Sequence, residues 1–360
     1  MTTPLLSVVV PSYNAEAWLE RCVDSLLVDG PETEIIIVDD GSTDATLALA
    51  QDLAARSSNI VVVHQENKGH GGAVNTGIAH ATGTWLKVCD ADDALDPLAL
   101  RDLLARLRQW DIDGTAPDLV VTNFVYVREG SEAWRNMGRR SRLLVAHRPS
   151  SKRAAHTVRF HGLIPEDRVG TWDDVRRFRA DQYLMMHALL YRTEVLRASG
   201  TVLPEHCFYV DSIFAFEPLT VVGSLTYLDI DLYLYTIGRE GQSVADDVIV
   251  RRLDQHDRVN AHMLEAMPAE GEVGGALYGY LLHYYLISCV VISAMALRSG
   301  TAQNLAIKDE LWRRMAERRP DVHRRLRRTA LGRAVNLPGP LGRRVPVLGY
   351  RVARWALNLN

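Results

Sequence analysis

The chain has 360 residues, with 41 lysines and arginines against 44 acidic residues and a formal net charge of −3. Its length exceeds what one ordinary core fills, and 47% hydrophobic with 24% charged content is that of a folded globular chain. Disordered, collagenous and disulfide-stapled classes are excluded. The four cysteines, Cys22, Cys89, Cys207 and Cys289, are dispersed and mostly in apolar surroundings, so they read as packing residues of a reducing compartment. No Cys-x-x-Cys or His-x-x-x-His spacing supports zinc. The N-terminus lacks a basic region and its apolar run is too short for a signal core, from which a cytoplasmic location is expected.

In chain order, residues 6–10 (Leu-Ser-Val-Val-Val) read as a strand that ends at Pro11-Ser12-Tyr13-Asn14, and helical composition follows over 15–28. Residues 34–38 (Glu-Ile-Ile-Ile-Val) are β-branched and too short for a buried helix, so they predict a core strand ending in Asp39-Asp40. Turn and cap types at 41–44 precede a helix over 45–56. A strand over 60–63 leads into Asn67-Lys68-Gly69-His70-Gly71-Gly72, then a helix to about 80 and a strand over 85–89. That β-α-β-α-β-α-β series predicts a mainly parallel α/β sheet, which binds ligands at the carboxyl ends of its strands.

The fourth strand ends in Asp90-Ala91-Asp92-Asp93. Taken alone, this cluster suits equally a hard cation held by carboxylates and substrate phosphates, or the acidic start of a helix over 96–100 with Asp93 as its cap. Asp39 and Asp40 at the neighbouring strand end favour the first reading. A dinucleotide fingerprint at Gly69-His70-Gly71-Gly72 fails because Val74 stands where the third glycine belongs.

The motifs SVVVPSYNAEAWLERCVDSLL, EIIIVDDGSTDAT and ENKGHGGAVNTGIAHATGTWLKVCDADD resemble, in order and spacing, those of the family 2 glycosyltransferases with the GT-A fold. The resemblance is strong over residues 5–100 and weaker to about 244. It implies a Rossmann-like α/β domain with a C-terminal helical region, a UDP-sugar donor and a Mn²⁺ or Mg²⁺ cofactor. It further implies that Pro11 and Tyr13 line the base and ribose pocket and that Asp40, with Asp39 beside it, takes the nucleobase edge. Asp90 would contact ribose and Asp92 would ligate the metal, with Asn67, Gly69, Gly71 and Ala91 completing the donor site. A carboxylate accepting from a uracil N–H and a cation neutralising the leaving diphosphate give these roles a physical sense.

For the acceptor base the candidate is Asp211, in Phe-Tyr-Val-Asp-Ser-Ile-Phe (208–214), where the family commonly has a Glu-Asp pair and this chain has Val210 for the Glu. Capping the following helix is its alternative role. Arg239, Gln242 and Ser243 lie in a stretch that resembles the family's loop over the donor diphosphate, and a guanidinium suits phosphate. Trp134 and Trp172, in the polar stretch 128–179, either stack on sugar rings or pack. The Gln-x-x-Arg-Trp motif of processive members is absent, so one sugar per encounter is expected.

Four regions are expected: a nucleotide-sugar half at 1–122, an acceptor and catalytic half at 123–244, a helical region at 245–310 and a basic tail at 311–360. Residues 276–297 are long and uncharged enough to span a bilayer, yet four tyrosines, His283 and small polar residues favour a buried helix. From 311 onward 13 arginines stand against two acids, a net charge of +11, which leaves −14 on residues 1–310. Basic residues beside aliphatic ones, Tyr350 and Trp355 suit peripheral contact with the inner face of a membrane, with a solvated face or a subunit contact as alternatives. No nucleic acid is expected. The whole reads as a metal-dependent inverting glycosyltransferase acting on a hydroxyl of a saccharide, lipid-linked saccharide or polymer in cell-envelope or extracellular-polymer synthesis. The alternatives are a noncatalytic sugar-nucleotide or polymer-binding module on the same fold, and a nucleotidyltransferase.

Overall fold

The aliphatic run at the N-terminus is buried at every position as β1 (Leu6–Ser12) in the computed structural model, which describes residues 3–28, 32–131, 134, 155–238 and 246–339. The chain divides into two compact units, one of residues 1–177 with 184–240 and one of residues 178–183 with 241–360. In the first unit, α1 (Leu19–Leu26), β2 (Thr33–Asp40), α2 (Thr46–Arg56), β3 (Ile60–Gln65), α3 (Gly69–His80) and β4 (Trp85–Val88) follow the alternation expected. Ile35, Ile36, Ile37 and Val38 of β2 are all fully buried. The strand shows no apolar–polar alternation because both of its faces are covered, as parallel strands require. β3, at the sheet edge, is more exposed, with only Ile60 buried.

After β4 come β5 (Ala94–Leu95), α4 (Pro97–Asp113), β6 (Leu119–Arg128), β7 (Ala155–Val158), β8 (Leu189–Arg192), α5 (Thr193–Ala198), the single turn α6 (Asp211–Phe214) and β9 (Leu225–Ile237). The strands are ordered β3-β2-β1-β4-β8-β6-β9-β5, with β7 beside β6. β1 is parallel to β2 and β4, and β2 to β3. β8 runs antiparallel between β4 and β6, and β9 is parallel to β6 with register shifts around Asn123. β1, β2, β4, β6 and β9 therefore share one direction, and β1, β2 and β4 end on the same side. β6 covers residues 119–128 without interruption, and the break between the units falls at 240–241.

One expectation is corrected. Asp93 does not cap the helix after the acid cluster. Asp96 does, accepting from the backbone N–H of Leu98 and Ala99 at 2.9 and 3.1 Å, with Pro97 at the first helical position. The short strand β5 intervenes, so Asp93 lies a full element upstream of the helix.

The second unit holds α7 (Asp246–Arg251), α8 (Leu253–Ala266), α9 (Gly275–Ser299), α10 (Ala302–Arg318), α11 (Pro320–Arg328) and α12 (Ala330–Ala334). α9 is long and apolar enough to cross a membrane, but 72% of its most apolar stretch is buried. Its polar groups meet neighbouring helices: Tyr285 Oη donates to Asn260 Oδ1 at 2.9 Å, and Trp312 Nε1 donates to Ser293 Oγ at 3.1 Å. It is the core helix of this unit, in line with its tyrosines and serines.

α3 packs on β1 and β2, and a Cβ added at Gly77 would lie 2.1 Å from Val9 Cγ1. Helix propensity favours Gly77→Ala by up to about 1 kcal/mol, whereas overpacking a filled contact costs about 1–3 kcal/mol. Gly77→Ala is therefore expected to lower stability in urea titration; an unchanged or raised midpoint would show that α3 does not pack this tightly on β1.

Candidate active site

The site grows from the ends of β1, β2 and β4. Pro11 is buried in β1, and Tyr13 just beyond it is 52% exposed. Asn14, at φ +48°, accepts from Thr43 N through Oδ1 at 2.8 Å and donates its own N–H to Ser42 Oγ at 3.0 Å, joining the loops after β1 and β2. Asp40 ends β2 with its side chain turned to the next loop: Oδ1 accepts from Gln65 Nε2 at 2.6 Å and Lys68 N at 2.8 Å. Asn67 Nδ2 donates to the Asp40 carbonyl at 2.9 Å. Asp39 is fully buried and binds His64 Nδ1 through Oδ2 at 2.7 Å, while its Oδ1 is buried without a partner among the described residues.

The glycines of the first turn of α3 admit a protein neighbour. A Cβ at Gly71 would lie 2.5 Å from the Pro204 carbonyl oxygen, and Gly69, at φ +75°, faces His206 at 3.0 Å. A left-handed φ beside packed backbone selects glycine. Asn75 fastens the contact, donating to the Leu203 carbonyl at 2.8 Å and accepting its N–H at 3.0 Å. His206 N donates to the Lys68 carbonyl at 2.8 Å. This packing sets the 203–207 loop, and with it Asp211, beside the strand ends.

The acid loop after β4 is built on buried charge. Asp93 is fully buried; Oδ2 accepts from Tyr233 Oη and Oδ1 from Thr236 N, each at 2.7 Å. Tyr233 Oη also accepts the Asp90 N–H at 3.2 Å. Burial pushes the Asp93 carboxyl well above the usual range, Asp90 adds to the rise, and the two hydrogen bonds oppose it. Asp90 stays partly exposed and meets His70 Nε2 through Oδ1 at 2.8 Å. Burial opposes charging of His70, but Asp90, with Asp211 and Asp40, acts against it and the imidazole is raised overall.

His187 completes the cluster, with Nε2 3.9 Å from Asp90 Oδ2. It lies in the turn Met186–Ala188 just before β8, with ring centroids 4.8 Å from Tyr233 and 4.4 Å from Tyr235. Burial pushes it down to about 4, so its imidazole is neutral, the form that ligates metals. Its Nδ1 is buried without a partner among the described residues. Lys87, fully buried on β4, holds the turn in place by donating to the His187 and Leu189 carbonyls at 2.8 and 3.3 Å. Burial lowers its ammonium to about 7.

Asp90, Asp93 and His187 each bring one ligand atom within 4.8 Å of the others. Two carboxyl groups and a neutral imidazole make a donor set that suits Mn²⁺ and admits Mg²⁺. Asp92 is half-buried on the same loop, and Arg21 Nη2 donates to its carbonyl at 3.2 Å. Ala91 between the two acids is buried.

Asp211 begins α6, behind Tyr209 at φ +67°, and is half-buried. Its burial raises the carboxyl, His70 lowers it and Asp90 raises it. The structure thus brings His70, Asp90, Asp93, His187 and Asp211 into one electrostatic group. Arg239, Gln242 and Ser243 lie outside the described residues. Trp172 is buried, and Trp134 lies beneath the Arg21 guanidinium at 4.6 Å, so packing accounts for both rings. His187 and Tyr233 are not legible as site residues in the sequence. Their only signal is a histidine and a tyrosine in apolar strand-like stretches, and the sheet register that brings them to Asp90 is long-range.

A model of the family described as Glycosyl transferase family 2 matches residues 7–161. The uncharacterized glycosyltransferase EpsJ of Bacillus subtilis (strain 168) is 40% identical over 111 residues, 31% of this chain and 32% of that protein. The putative glycosyltransferase EpsH of the same organism is 29% identical over 243 residues, 66% of this chain and 62% of that protein. The chain thus spans less than two thirds of the length of either relative. Among solved structures, S. aureus TarS 1-349 in complex with UDP-GlcNAc matches with a TM-score of 0.57 at 20% identity, covering 97% of this chain and 92% of that one, a likeness of fold.

Replacing Tyr233 by Phe leaves the buried Asp93 oxygen and the Asp90 N–H without their shared partner, at a cost of about 1–3 kcal/mol. Urea unfolding of Tyr233→Phe should show that loss; a change near zero would mean that the hydroxyl does not carry the loop.

Proposed function

We propose that this chain, whose residues 7–161 match the glycosyl transferase family 2 model, moves a sugar from a nucleoside-diphosphate donor, a UDP-sugar, to a hydroxyl acceptor with inversion at the sugar carbon. The acceptor class is a saccharide, lipid-linked saccharide or polymer of the cell envelope or an extracellular polysaccharide, and the site of action is cytoplasmic. The observation that carries the reading is the group of Asp90, His70 and Asp211 beside the ends of parallel strands. A uridine donor agrees with the UDP-GlcNAc held by TarS.

Asp40 keeps Oδ2 without a hydrogen bond to any described residue, so it can accept a base N–H while Oδ1 holds the Lys68 amide. Pro11 and Tyr13 flank that pocket by their place at the end of β1. Asp92, with Asp90 and His187, would hold the divalent ion; Asp93, whose oxygens already serve Tyr233 and Thr236, positions the loop. When bound, the ion supplies positive charge against the leaving diphosphate. Asp211 accepts the acceptor's proton as the hydroxyl attacks. Its burial raises its basicity, and His70 limits that rise so that the carboxylate is available. Transfer should therefore fall as pH drops through a value above the usual carboxylate figure of about 3.9.

Asp211→Asn should retain UDP binding within about twofold and lower transfer by a factor on the order of 10² to 10⁴. Near wild-type transfer, read as UDP release from a UDP-sugar with acceptor present, would remove Asp211 as the base. Asp92→Asn should raise the Mn²⁺ concentration for half-maximal activity by about tenfold or more. If Asp93→Asn alone did so, the ion would be held by the buried acid instead.

A further inference from the structure

Nine arginines lie between positions 311 and 339, and five of them face carboxylates. Arg313 pairs with Glu310 and Glu317, Arg314 with Asp257, Arg318 with Glu265, Arg319 with Asp321, and Arg325 with Glu270. The other four, Arg324, Arg327, Arg328 and Arg333, are all exposed and pair with no carboxylate among the described residues. Helical spacing explains their grouping. Val322 and Leu326, four apart, are buried, and positions 324, 327 and 328 fall on the opposite side of α11, while Arg333 of α12 stands beside Arg328 across the extended Thr329. Arg327 is further fixed by lying 5.8 Å from the Trp312 ring centre, and Arg333 donates to the Arg328 carbonyl at 2.7 Å. His323 beside them is held below its ordinary value by partial burial and by the charges of Arg327 and Arg324.

Four unneutralised guanidinium groups on one face attract phosphate, and guanidinium binds phosphate through paired hydrogen bonds. The neighbouring sequence decides which phosphate. Leu337 is 43% exposed, and residues 341–359 interleave four further arginines with leucines, valines, Tyr350 and Trp355. A polyanionic polymer or nucleic acid has no use for aliphatic side chains between the charges, whereas a bilayer interface takes both. We propose that the exposed arginine face of α11 and α12 docks this chain on the phosphate headgroups of an anionic phospholipid bilayer.

The test is co-sedimentation of the full chain with vesicles of phosphatidylglycerol and phosphatidylcholine, against phosphatidylcholine alone. Each basic residue near an anionic surface contributes roughly a factor of five to partition. Arg324→Gln with Arg328→Gln should therefore reduce binding to the anionic vesicles by about 25-fold, with an unchanged melting temperature. Arg313→Gln with Arg318→Gln, which removes charges already paired, should change it much less. Raising salt from about 0.1 to 0.5 M should release the wild-type chain. Equal partition of the Arg324/Arg328 variant and the wild type, or capture by inorganic polyphosphate with none by the vesicles, would overturn the proposal. The readout does not depend on sugar transfer, so it stands or falls apart from the enzymatic reading.

Discussion

A carboxyl group without solvent at its surface, Asp93, is held by one phenol and one backbone amide, and the acid loop takes its shape from that clamp. The donors come from β9, 140 and 143 residues further along the chain, so the clamp on the loop after β4 is a long-range contact that joins it to the far half of the sheet. Burying an acid is costly unless it is hydrogen-bonded, and here both oxygens are served. The same phenol receives the Asp90 N–H, which orients the acid that meets His70. One buried carboxylate thus fixes the loop while its neighbours, Asp90 and Asp92, remain accessible for a ligand.

A second buried charge supports the opposite wall. Lys87 has no carboxylate partner in its hydrogen bonds and instead ties β4 to the turn that carries His187. Its strand lies inside the sheet, between β1 and β8, which leaves the ammonium little water, and its proton affinity falls accordingly. Around it, Tyr233 and Tyr235 enclose His187 and keep that imidazole neutral. Beside that aromatic wall the Lys87 ammonium lies 5.2 Å from the Tyr233 ring centre, and across from it Asp90 raises the His70 imidazole.

Much of this is written locally in the chain. The runs over residues 6–10, 34–38, 60–63 and 85–89 are short, apolar and followed by turn types, and each forms a strand within a few residues of its expected bounds. The placing of Asp39, Asp40 and Asp90 at strand ends follows directly from such patterns, and Asp211 from the motif around it. What is not legible depends on contacts between distant segments. Asp93 reads as a helix cap because it stands only just upstream of the real one, Asp96, and the pairing of β5 with β9 is what separates the two. His187 reaches Asp90 through the antiparallel pairing of β8 with β4, a register that no local periodicity encodes. The glycines at 69 and 71 announce close approach, but that the 203–207 backbone is what approaches can be seen only in the fold.

The central claim is that the strand-end acids form a cation-assisted site for a nucleoside diphosphate. Calorimetric titration of UDP into the full chain, with Mn²⁺ and then with a chelator, tests it most directly. The account predicts saturable 1:1 binding that weakens by about tenfold or more when the ion is removed. Equal affinity with and without the ion, or no binding of UDP in either case, would contradict it.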